Sequence, residues 1–144
     1  MVLRVVLAYT LSNNKNIISI VDDEVDITET FYEVLCKTGE CSVFAFNDSI
    51  TALNHFIEYE KDYALVISDL RMPRLSGWDL LRKIKKINPY IRTILMTAYE
   101  VETNKLEEYI AEEVIDKFLQ KPIGLNDLLA GVKNQLHIYE LQKK

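Results

Sequence analysis

The sequence predicts an α/β fold: a five-stranded parallel sheet, doubly wound, with helices covering both faces. Three features carry that expectation. Short, largely apolar runs recur five times along the chain. Segments with apolar residues at helical spacing separate them. Most of the runs are apolar at nearly every position, as strands buried on both faces require.

Each element follows in order. Ile17-Ile18-Ser19-Ile20-Val21 reads as the first strand. Ile27, Phe31, Val34 and Leu35 then recur at helical spacing, and Gly39 marks the stop. Ser42 to Phe46 is the second strand. Asn47-Asp48-Ser49 offers cap residues for a helix whose apolar stripe is Leu53, Phe56 and Ile57. Tyr63 to Ser68 is the third strand, and Leu80, Ile84 and Ile87 line the third helix until Asn88-Pro89 breaks it. Ile91 to Met96 is the fourth strand. A fourth helix spans about Glu100 to Glu113, with Leu106 and Ile110 as its apolar marks. Ile115 to Leu119 is a short fifth strand. Leu125, Leu128, Leu129, Val132 and Leu136 give the last helix its stripe, to about Tyr139. Right-handed crossovers put helices on both sides of the sheet, and the size is that of a flavodoxin-like (βα)5 fold.

The 144 residues suit one domain that buries its own core. We place it at residues 16–140, with an N-terminal extension at 1–15 and a short tail at 141–144. The extension begins MVLRVVLAYTL, too short to span a bilayer and without a small-residue cleavage site. An extra strand, an apolar arm and a mis-assigned start all fit it. Net charge is −5 with no dominant lysine or arginine run, which argues against direct nucleic-acid binding. No membrane association is expected. Cys36 and Cys41 lack histidines at metal-binding spacing and read as reduced thiols of a cytoplasmic protein, with a disulfide between them as the less favoured alternative.

In such a sheet, chemistry collects at the carboxyl ends of the strands. The first strand runs into Asp22-Asp23-Glu24, the third into Asp69, the fourth into Thr97 and the fifth into Lys121-Pro122. Taken singly, each residue is ordinary: a strand-end aspartate caps a helix, and a lysine before proline is solvated. The set is not ordinary. Two carboxylates about 4 Å apart repel by roughly 4 kcal/mol at an effective dielectric near 20. Three raise one another's pKa unless a cation sits among them. A hard divalent ion satisfies oxygen ligands, so Asp22, Asp23 and Asp69 predict a magnesium site completed by water and a backbone carbonyl. Asp69 is also placed as a nucleophile able to form an acyl phosphate. Metal, ammonium and hydroxyl would steady the transferred oxygens.

These residues carry a resemblance. Asp22-Asp23-Glu24, the segment Ser68-Asp69-Leu70-Arg71-Met72-Pro73 with Gly77 after it, Met96-Thr97-Ala98, and Phe118-Leu119-Gln120-Lys121-Pro122 together resemble a response-regulator receiver domain of two-component signalling. The match runs from about Asn16 to Leu136. The resemblance implies that Asp69 is the phospho-acceptor and Asp23 the direct magnesium ligand. It implies that Asp22 acts mostly through metal-bound water, and that Arg71 offers its backbone carbonyl to the metal. Thr97 is then the switch hydroxyl, Phe118 the switch aromatic and Lys121 the phosphate-contacting ammonium, with a cis peptide before Pro122. Arg71 and Tyr99 flank the path of attacking water and imply slow self-hydrolysis.

The implied function is that of a phosphoprotein in a phosphorelay. A sensor histidine kinase or phosphotransfer protein is the donor. An output protein of unstated identity binds the face of helix 4, strand 5 and helix 5, and a homodimer stays open. No separate substrate turnover is expected, only self-phosphorylation and self-dephosphorylation. Few residues follow the last helix, so the reading is a stand-alone receiver, with a fragment of a longer regulator as one alternative. A phosphorylation-independent interaction module on the same fold is another, although such modules typically lose an acid or the lysine. A haloacid-dehalogenase-type phosphatase would want an acid where Arg71 stands. A flavodoxin would want a phosphate-cradling loop where Asp22-Asp23-Glu24 stands.

Overall fold

A computed structural model of the protein describes residues 16–39, 41–98 and 103–143. The expected N-terminal extension, Glu100 and Tyr99 lie outside them, as does the side chain of Leu106. The elements alternate as β1 (Ile17–Val21), α1 (Val25–Cys36), β2 (Ser42–Phe46), α2 (Ser49–Glu58), β3 (Tyr63–Asp69), α3 (Gly77–Ile87), β4 (Arg92–Thr97), α4 (Thr103–Ala111), β5 (Lys117–Gln120) and α5 (Leu125–Lys143). A single 3-10 turn, Glu60–Asp62, leads into β3.

All strand pairs are parallel, in the order β2-β1-β3-β4-β5. Every residue of β1 and β3 is buried, which explains why those strands read as nearly continuous apolar runs, interrupted by Ser19 in β1 and ending in Ser68-Asp69 in β3. Two apolar layers flank the sheet. Phe31 and Leu35 of α1 pack with Leu128 and Val132 of α5 against Ile18, Ile20, Ile67 and Ile94. On the other face, Phe56 of α2, Leu80 and Ile84 of α3 and Tyr109 of α4 cover Val21, Val66 and Leu95. The chain leaves β1 toward β2, then returns to place β3 on β1's other side. The loops after β1 and β3 therefore depart to opposite faces and open a crevice between them.

Caps sit where their chemistry directs. Asp48 accepts from the Thr51 amide at the start of α2, and Ser76 accepts from the Asp79 amide at the start of α3. Gly39 has a φ of 68°, the left-handed conformation that a helix-ending turn uses. Asp48 also takes the Arg74 guanidinium, which joins α2 to the loop after β3.

Several sequence expectations shift. Ile57, Ile87 and Ile110 are exposed at 54%, 46% and 56%, while Ala52, Leu81 and Tyr109 are buried in their place. Each helix keeps its period but turns a different edge of the stripe inward, because neighbouring side chains diverge by about 100°. Leu125 is likewise exposed, and α5 buries Leu128, Val132, Gln135 and Tyr139. β3 reaches Asp69, β4 is displaced one residue to Arg92–Thr97, and β5 begins at Lys117. The last helix continues to Lys143, so residues 141–143 prolong it and are not a separate tail. Among the described residues, no helix is long and apolar enough to cross a membrane.

A polar cluster fixes the amino end of β4. Asp116 Oδ2 lies 2.8 Å from Lys85 Nζ of α3 and accepts the Thr93 amide at 3.0 Å; Asp116 Oδ1 lies 3.3 Å from Arg92. Arg92 Nε donates to Gln135 Oε1 of α5 at 2.8 Å. One carboxylate thus ties α3, β4 and the approach to β5, and Arg92 extends the tie to α5. Asp116→Ala would strand two half-buried cations. It is expected to lower unfolding free energy by about 3 kcal/mol, read from urea denaturation.

Candidate metal centre

The parallel sheet delivers the ends of β1, β3, β4 and β5 to one rim. Asp22 follows β1 and is fully buried; Asp69 ends β3 at 7% exposure; Asp23 is exposed beside them. Carboxylate oxygens of all three lie within 4.8 Å of one another. Lys121, just past β5, reaches between two of them: Nζ is 2.8 Å from Asp22 Oδ2 and 3.3 Å from Asp69 Oδ1.

Backbone contacts hold this arrangement. The Asp22 amide donates to the Phe46 carbonyl at 3.1 Å, and Asp22 Oδ1 accepts the Glu24 amide at 2.9 Å. The Leu70 amide donates to the Met96 carbonyl at 3.0 Å, so the residue after Asp69 stays clamped to β4. The Lys121 amide donates to the Thr97 carbonyl at 2.7 Å, which joins two site residues directly, and the Lys121–Pro122 peptide is cis. Behind Asp69, the Gly77 amide donates to the Leu70 carbonyl at 2.8 Å. A Cβ at Gly77 would stand 1.9 Å from the Asp69 carbonyl oxygen, so only glycine lets α3 begin here. That closeness gives the glycine of the sequence motif a steric reason.

Three carboxylates against one ammonium leave a net charge of −2. Burial, reinforced by the Asp22 charge, pushes the Asp69 carboxyl above the ordinary carboxylate range, and Lys121 opposes this without cancelling it. Burial alone would lower the Lys121 ammonium, but its bonds to Asp22 and Asp69 outweigh burial and hold it above its usual value. The charge deficit equals one divalent cation. All donors are hard oxygens, with no thiolate or imidazole in the cluster, which selects magnesium, calcium or manganese over zinc. Ligands around magnesium at 2.0–2.1 Å stand roughly 3 Å apart when adjacent and about 4.2 Å apart when opposite, close to the spread observed. The residues fit the ion.

Of the residues singled out in the sequence, the structure brings Asp22, Asp23, Asp69 and Lys121 together. Thr97 borders them at the end of β4 and is 7% exposed. Phe118 is half-buried on β5 opposite Leu95, while Thr97 pairs with Gln120. Alternation therefore puts Phe118 on the same face as Thr97, one step down the sheet. Arg71 is exposed in the loop two residues past Asp69. Sequence reading missed Asn47, treated as a cap residue. Its Nδ2 donates to the Asp22 carbonyl at 2.9 Å. An amide-bearing side chain at a strand end next to an acid-bearing strand was the only signal available.

A family model described as the response regulator receiver domain matches residues 18–133. Sporulation initiation phosphotransferase F of Bacillus subtilis is 32% identical over 119 residues, covering 83% of this chain and 92% of that protein. The transcriptional regulatory protein CusR of Escherichia coli is 29% identical over 81% of this chain, and the DNA-binding transcriptional regulator NtrC of Salmonella typhimurium is 26% identical over 90% of it. This chain spans only 49% of the first regulator's length and 27% of the second's. Among solved structures, a response regulator receiver domain protein from Clostridium thermocellum shares 29% identity at a TM-score of 0.77, covering 88% of this chain and 98% of that one.

Two outcomes are expected of the metal-free protein. Asp69→Asn removes a charge held against burial and against Asp22, so it should raise stability at pH 7 by about 1–2 kcal/mol, or roughly 3–6 °C in Tm. Because the folded state holds the Asp69 proton more tightly than the unfolded chain, wild-type stability falls as pH rises from the ordinary carboxylate range through the raised folded value. The advantage of Asp69→Asn should therefore widen between about pH 4 and pH 7, as followed by thermal melts in chelator. Gly77→Ala must displace the Asp69 backbone or the start of α3, and is expected to cost about 3 kcal/mol together with magnesium affinity. Melting and calorimetric titration would measure the two losses.

Proposed function

This chain belongs to the response regulator receiver domain family, and on that premise we propose that Asp69 accepts a phosphoryl group from a histidine kinase or phosphotransfer protein of a two-component system. A single observation carries the reading. A buried strand-end carboxylate shares one lysine with a second buried acid, beside a third that is exposed to an incoming ion.

The chemistry follows from the residues. An Asp69 carboxylate oxygen attacks phosphorus; a P–O bond forms as the bond from phosphorus to the donor imidazole nitrogen breaks, and the freed pair returns to the imidazole. Lys121 leaves its divided hold on Asp22 and Asp69 to meet a phosphoryl oxygen, where its charge is worth most. The Thr97 hydroxyl donates to another. Asp22, Asp23, Asp69 and the Arg71 carbonyl would hold magnesium, which supplies positive charge against the transferred oxygens. Phosphorylation adds about −1.5 to −2 charges. Thr97 is drawn toward them and Phe118 repacks into the space released on their shared face. Partner affinity then changes on the surface of α4, β5 and α5. Two pre-existing states are biased, and neither is newly built. Action in the cytoplasm and self-dephosphorylation, without turnover of a separate substrate, belong to the same proposal.

Acetyl phosphate with magnesium, followed by intact mass measurement, tests it. One phosphoryl group should be gained by the wild type and none by Asp69→Asn. Beryllofluoride with magnesium should bind saturably and be lost in Asp69→Ala. Indifference of the wild type to both reagents would favour a phosphorylation-independent interaction module. Turnover of a small phosphate ester would favour a dehalogenase-type phosphatase.

A further inference from the structure

The end of β2 contributes nothing to the acid cluster, yet it holds both backbone groups of Asp22. The Asp22 amide donates to the Phe46 carbonyl at 3.1 Å, and the Asp22 carbonyl accepts from Asn47 Nδ2 at 2.9 Å. The same Nδ2 donates to Thr28 Oγ1 at 2.9 Å. Thr28 lies in the first turns of α1 at 2% exposure, and its hydroxyl donates onward to the Val25 carbonyl at 3.0 Å. The relay has one consistent direction: the amide gives twice, and the hydroxyl receives once and gives once. It brackets Asp23 and Glu24 from both sides, between Asp22 and α1.

The bracket opposes a definite force. Asp22, Asp23 and Asp69 crowd their charges, and repulsion would spread the loop after β1 away from the end of β3. Asn47 carries no charge and stands outside the cluster, so it restrains the loop without adding to the crowding. Resting on the phosphoryl-acceptor reading above, we propose that Asn47 is a positioning residue. Through Thr28 it presets the Asp22-Asp23 loop for a divalent cation that it does not touch. Groups that orient metal ligands from behind commonly govern metal affinity to this degree.

The test is magnesium titration by calorimetry on the whole chain, paired with amide hydrogen exchange in chelator. Asn47→Ala should weaken magnesium binding about tenfold. Asn47→Asp keeps the shape but cannot donate, and should weaken it at least as much. Thr28→Val removes the far end of the relay in a nearly equal volume. It should weaken binding about threefold, and adding it to Asn47→Ala should cost nothing further. In chelator, exchange of the Glu24 amide, which bonds Asp22 Oδ1, should quicken in Asn47→Ala beyond any change in global stability. Should Asn47→Ala not fold, Thr28→Val carries the same comparison. Wild-type protein that binds magnesium alongside an Asn47→Ala variant of equal affinity and unchanged Glu24 exchange would overturn the positioning role alone. Wild-type protein without magnesium affinity would overturn the acceptor reading and this inference with it.

Discussion

Like charges brought together in a protein must be neutralised, protonated or driven apart, and the rim of this sheet uses a share of each. Lys121 neutralises part of the charge on Asp22 and Asp69, and the Asp69 carboxyl is pushed toward its protonated form. With all three acids ionised the deficit beside Lys121 is two charges, which a divalent ion would fill. Much of the architecture near the rim makes sense as support for this one crowded spot. β1 and β3 are neighbours so that their ends meet; β4 clamps Leu70; β5 carries the lysine into reach and ties it back to Thr97.

The support has layers of decreasing directness. Nearest are the four charged side chains. Behind Asp69 stands Gly77, where the Asp69 carbonyl leaves no room for a Cβ. Behind Asp22 stands the end of β2, with Phe46 and Asn47 holding its amide and carbonyl. Asp69 ends one buried strand, and Asp22 and Asp23 directly follow another, two residues before α1 begins. A carboxylate placed this way cannot relax away from its neighbours as one on a flexible loop would. The strain is therefore expressed as altered proton affinity and as appetite for a cation.

The opposite end of the sheet has a different economy. Asp116 gathers Lys85, Arg92 and the Thr93 amide, with nearly every donor matched by an acceptor. That cluster sets one carboxylate between two cations and ties elements together, whereas the rim gathers three carboxylates around one ammonium. Trp78 stacks on Tyr109 with centroids 4.1 Å apart and so links the start of α3, adjacent to Asp69's backbone, with α4. The start of α3 beside the rim thus has a packed neighbour on α4.

By itself, the sequence determined the order of elements, the parallel sheet and which side chains gather at its rim. Those depend on local rules: apolar runs at consecutive positions, helical spacing, caps, and acids that end strands. Asp22, Asp23, Asp69, Thr97 and Lys121 were legible because each follows a strand run, and all parallel strands end on one rim. Which helix edge faces inward was not legible. Ile57, Ile87 and Ile110 lost burial to Ala52, Leu81 and Tyr109, because a rotation of one residue leaves the period unchanged and only neighbouring elements choose the phase. The strand order β2-β1-β3-β4-β5 decided which acids share the lysine. The roles of Asn47 and Thr28 also belong to tertiary structure alone. They act through contacts between residues 19 and 25 positions apart, where no periodicity or spacing rule reaches.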